Sequence, residues 1–114
     1  MKNKEYIIDI LVPKQCLLRW NSTGITIAGV SNVSGSDNIH LYTPVDLVLD
    51  YQNTMFIAER YNHRIQKYLR NSMTGITVAG FGNGTIGTSL DGLNNPSHVI
   101  VAGFGERKMT LFFE

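Results

Sequence analysis

Thr23-Gly24-Ile25-Thr26-Ile27-Ala28-Gly29 returns 51 residues later as Thr74-Gly75-Ile76-Thr77-Val78-Ala79-Gly80, with a single Ile to Val change. Chance is a poor source of such a match, and self-similarity at a fixed period is the mark of a repeat architecture. A second pair follows. LYTPVDLVLD at residues 41–50 faces LNNPSHVIVA at residues 93–102, with prolines 52 residues apart, so the one-residue difference falls in the loop between the pairs. Apolar runs that close on an acid supply a third register: Tyr6-Ile7-Ile8-Asp9, Met55-Phe56-Ile57-Ala58-Glu59 and Leu111-Phe112-Phe113-Glu114. The 114 residues therefore divide into a degenerate partial unit at 1–20, a first repeat unit at 21–70 and a second, incomplete unit at 71–114.

Within a unit, short apolar runs alternate with turn-rich stretches, the pattern of strands rather than helices. Four strands are expected, at residues 45–49, 54–59, 64–69 and 75–79. Pro44 opens the first, where a missing N–H is tolerable. Tyr51-Gln52-Asn53 and Arg60-Tyr61-Asn62-His63 read as turns, and Gly80 closes the last strand. Connections this short join neighbouring strands into an antiparallel meander. Met55 and Ile57 point to one face while Phe56 and Ala58 point to the other, so the sheet must be covered on both sides. Copies of itself can cover it twice. The expectation is an all-β fold, a partial β-propeller of about two four-stranded antiparallel blades with incomplete flanking units. A stacked β-solenoid, usually built on a shorter repeat, is the alternative.

Tyr61-Asn62-His63-Arg64-Ile65-Gln66-Lys67-Tyr68, preceded by Phe56-Ile57-Ala58-Glu59, resembles the NHL repeat family. Its units carry an acid, then Asn-His-x-Arg or a variant, then Ile or Val and an aromatic. Glu59, Asn62, Arg64 and Ile65 stand at the signature positions, with Glu59 where the family more often has Asp. The resemblance covers about residues 17–101 and weakens at both ends, where Ile10-Leu11-Val12-Pro13-Lys14 occupies the place of a signature. It implies a non-enzymatic scaffold for protein partners. Some relatives bind single-stranded RNA on one face of the ring, and a related lyase branch holds zinc with channel histidines to break down a hydroxyglycine intermediate.

The signature also has a purely structural reading. Glu59 ends one strand and Arg64 begins the next, so the two are expected to pair across the strands, while Asn62 is expected to take the left-handed conformation of the turn. The turn at residues 60–63 and the long loops at 30–43 and 81–95 are expected to emerge on one face. Loops on a rigid scaffold are where contact residues concentrate, which makes Arg60, Tyr61 and His63 the candidate contact patch. Arg60, Arg64, Lys67 and Arg70 make the segment locally basic, the feature that would serve RNA.

Other motifs carry less. Gly82-Asn83-Gly84-Thr85-Ile86-Gly87 matches the dinucleotide string, but the polar stretch before Pro96 cannot supply the helix that binding needs. His40, His63 and His98 have no metal-ligand spacing, although His98 takes the place of Asp46 on a strand expected to line the ring's channel. No cofactor and no metal site are expected. A net charge of +1 excludes the broad basic surface of a general nucleic-acid binder, and a lone Cys16 excludes an intrachain disulfide framework. No apolar run is long enough to span a bilayer, so no membrane partner is expected, and sequons at Asn21, Asn32 and Asn83 remain compatible with secretion. Closed propellers hold about four to eight blades, so two blades are expected to be completed by further blades of a longer chain or by self-association.

Overall fold

The computed structural model describes residues 21–89 and 91–102, together with the backbone of residues 110–113. The partial unit at 1–20, including the Tyr6-to-Asp9 run and Cys16, and the closing Glu114 lie outside the described residues. Among the described residues there is no helix. The chain is all-β, with β1 (Pro44–Leu49), β2 (Met55–Glu59), β3 (Arg64–Tyr68) and β4 (Ile76–Gly80) forming one antiparallel sheet in the order β1-β2-β3-β4. A second antiparallel sheet pairs β5 (Val99–Ala102) with β6 (Thr110–Phe113). The four-stranded sheet spans residues 44–80 and so takes its last strand from beyond residue 70. A period sets the length of a unit and leaves open where each sheet begins.

Local chemistry explains the turns. Asp50 uses one carboxylate oxygen to accept the backbone N–H groups of Gln52 and Thr54, and Asn53 takes the left-handed conformation that closes the β1–β2 connection. In the β2–β3 turn it is His63, at φ 50°, that is left-handed, and not Asn62 as the sequence led us to expect. Asn62 is instead buried and spends its amide on the Gly35 carbonyl, 27 residues away, and on the Glu59 carboxylate.

The sequence repeat is also a repeat of backbone geometry. Gly29 and Gly80 both have positive φ, as do Thr43 and Asn95. The Val33 N–H to Val30 C=O bond recurs as Gly84 N–H to Phe81 C=O, and Gly35 N–H to Leu41 C=O recurs as Gly87 N–H to Leu93 C=O. The first pair is 51 residues apart and the second 52, which places the extra residue between Gly84 and Gly87. Thr23 to Gly29 departs from its copy by lying in no strand. The copy at Ile76–Gly80 has β3 beside it, whereas no described strand runs beside the earlier one to take up its N–H and C=O groups.

The register assigns the two faces. Phe56, Ala58 and Ile65 point to one, where Val48 and Ala79 join them and Val99, Val101 and Leu93 close over the top. Met55, Ile57 and Tyr68 point to the other, against Ala28 and Leu41. β5 is therefore laid face to face on the first sheet. Burying Val99 there contributes about 2 kcal/mol, and Asp46 adds a bond, its Oδ2 accepting the Val99 N–H at 2.9 Å.

Tyr68 carries a testable cost. Its side chain is buried and its hydroxyl has no hydrogen-bond partner among the described residues. Burial first, then the negative charge of Glu59, raises its ionisation above the ordinary value of 10.0. Below that value both states keep the proton and its contribution is constant. Above it the unfolded chain releases a proton that the folded chain retains, so stability falls as pH rises. Tyr68→Phe is expected to raise stability at neutral pH by about 1 kcal/mol and to flatten the alkaline decline. Urea denaturation at neutral and alkaline pH checks both. A loss of stability in the variant would mean the hydroxyl is satisfied.

Candidate functional site

Glu59 and Arg64 stand opposite each other on β2 and β3, and both are sealed from solvent, at 0% and 1% exposure. Arg64 Nε donates to Glu59 Oε2 at 2.6 Å. Nη1 donates to the carbonyls of Ser36 (2.6 Å) and Gly82 (2.8 Å), and Nη2 to those of Asp37 (2.8 Å) and His40 (3.2 Å). All five guanidinium N–H groups are thereby used. Glu59 Oε1 accepts the Tyr42 N–H at 2.9 Å and the Asn62 amide at 2.6 Å, and the same amide donates to the Gly35 carbonyl. This buried network binds the β2–β3 turn to both long loops.

The candidate contact residues sit on that anchored turn. Arg60 and Tyr61 are exposed and His63 is half-buried. Tyr61 meets Tyr42 edge to face, with ring centroids 5.3 Å apart and planes at 79°, and both residues remain about half exposed. His63 Nδ1 accepts the Asn95 N–H at 3.0 Å, which ties the turn to the loop at 81–95. The loops at 30–43 and 81–95 thus meet the turn on one face. Tyr42 and Asn95 were not singled out in the sequence. Tyr42 could have been suspected as the aromatic just before the Thr43-Pro44 strand entry.

The basic segment does not make one patch. Arg64 is enclosed, Lys67 lies across from Phe56, and the exposed Arg60 and Arg70 flank opposite ends of β3, about 17 Å apart at a strand's rise per residue. Ile65 serves the core. Residues 82–89 form turns and irregular chain, and among the described residues no helix follows the glycines.

The histidines are held separately. His40 Nδ1 lies 2.8 Å from both carboxylate oxygens of Asp37, and that hydrogen bond holds the carboxyl below its ordinary range. His98 Nδ1 lies 2.9 Å from the Ser97 hydroxyl. Among the described residues no three His, Cys, Asp or Glu side chains group to hold a metal ion, and no helix is long and apolar enough to cross a membrane. No family model matches the chain, no curated protein matches it and no solved structure matches it.

Proposed function

We propose that this chain is a segment of an NHL-type β-propeller that acts as a non-enzymatic scaffold for a protein partner, with the Arg60 to His63 face as its contact surface. The propeller reading is supported by the recurrence of backbone geometry at 51 and 52 residues and by the stacking of β5 on the four-stranded sheet. The observation that carries the partner reading is the exposed Tyr42–Tyr61 pair beside Arg60, mounted on a turn that a buried ion pair holds still. Tyr and Arg dominate the energetics of protein interfaces, and a rigid mount lowers the ordering cost of binding. Arg64, the cation at the signature position, is enclosed by carbonyls and unavailable to a phosphate, which favours a protein over RNA.

Immobilised wild-type chain and a Tyr61→Ala/Arg60→Ala variant are to be compared for quantitative capture of proteins, alongside a titration with an RNA pool at low salt. The expected result is a partner whose capture falls about thirtyfold or more in the variant, the loss of one hot spot. Capture indifferent to the substitutions, or salt-dependent RNA binding lost in the variant, overturns the reading.

A further inference from the structure

Among the described residues there is one sheet-on-sheet interface and both open halves of a second. In the interface that is made, β5 turns Val99 (2% exposed) and Val101 onto the Phe56, Ala58 and Ile65 face of the first sheet. The repeat counterparts of these valines, 52 residues earlier, are Leu47 and Leu49 on β1. The register puts both on the Met55 face, opposite Ile57 and Met55. There they remain 54% and 53% exposed, and Leu47 lines a groove together with Ile27, Ala28, Leu41 and Val45. At the far end of the stack, the outward side of β5 shows Ile100, 57% exposed. Its counterpart Val48 lies half-buried beneath β5.

One end thus offers the apolar residues that dock, and the other offers the side onto which they dock. We propose that a second copy of this chain seats its Leu47 and Leu49 face on the Ile100 side of the first, repeating between chains the contact that Val99 makes within one. A repeat stack whose end sheets lack neighbours leaves apolar surface in water, and a contact between two different faces of identical copies is heterologous, so it propagates from copy to copy. The two faces share the pattern of an interface already formed, which makes a further copy the occupant that fits both. The inference depends on the stacking of the sheets and not on the partner-binding surface.

The test uses the full chain in sedimentation velocity over a wide concentration range, with Leu47→Arg and Ile100→Arg variants. Both positions are exposed, and far-UV circular dichroism with urea denaturation checks that each variant is folded. Wild type is expected to form species that grow with concentration, and each variant alone is expected to sediment as a monomer. Mixed, the variants are expected to form a complex of twice the monomer mass and nothing larger, because one retains the docking face and the other the receiving side. Should an arginine variant unfold, Leu47→Asn and Ile100→Thr give the same readout. A wild-type monomer at every concentration, association indifferent to the substitutions, or variants that fail to pair overturns the proposal, and the faces then belong to another occupant.

Discussion

Arg64→Ala is expected to destabilise the protein by about 3–5 kcal/mol, the cost of leaving one partner of a buried ion pair without the other. That is a large part of the total stability of a small domain, about 5–15 kcal/mol. Glu59 would keep a charge with no counterion, and the carbonyls of Ser36, Asp37, His40 and Gly82 would lose the donors that gather them. Arg64→Lys is expected to lose nearly as much, since an ammonium brings three donors without a planar fork. Glu59→Gln combined with Arg64→Met is expected to recover part of the loss by removing both charges. Urea denaturation at one fixed protein concentration gives these differences, and amide exchange should accelerate at Tyr42 as the loop comes free. A loss below about 1 kcal/mol for Arg64→Ala, as an exposed ion pair would give, would show that the network does not hold the loops.

Gly80→Ala is expected to cost at least about 2 kcal/mol, because two penalties coincide. Gly80 has φ +83°, a conformation that costs an L-residue roughly 1–2 kcal/mol. A Cβ there would also stand 2.2 Å from the His63 carbonyl oxygen, so the β2–β3 turn would have to move. Gly24 provides the control within the same motif. It has no positive φ and open space around it, so Gly24→Ala is expected to change stability by less than about 0.5 kcal/mol. Thermal denaturation of the two variants beside wild type makes the comparison. Equal effects at both positions would contradict the geometry.

Much of the fold was legible because strand patterns are local. The four expected strands match β1 to β4 within a residue at each end, since alternation, Pro44 and the Gly and Asn turns all act over a few residues. The two faces of β2 were legible for the same reason: Met55 and Ile57 enter one cluster and Phe56 and Ala58 the other. The conformation of the β2–β3 turn was not, because Asn62 and His63 both tolerate tight turns. Asn62 is claimed by the Gly35 carbonyl and Glu59, partners far away or buried, so the left-handed position passes to His63. The candidate contact face was legible only as a loop cluster. Its aromatic pair joins residues 42 and 61, and its histidine bond joins 63 and 95, separations that no local rule spans.

By itself, the sequence determined the period, the strands and the pairing of Glu59 with Arg64, because each follows from spacing along the chain and short turns leave no other neighbour. Only the tertiary structure decided what Arg64 does. Its guanidinium reaches carbonyls 18 to 28 residues away in two loops, and a backbone carbonyl is the same atom in every residue. Nothing in the identities of Ser36, Asp37, His40 or Gly82 marks them as its partners. The fold brings those carbonyls together, and the charge they enclose then becomes part of the scaffold and ceases to be available as a binding group.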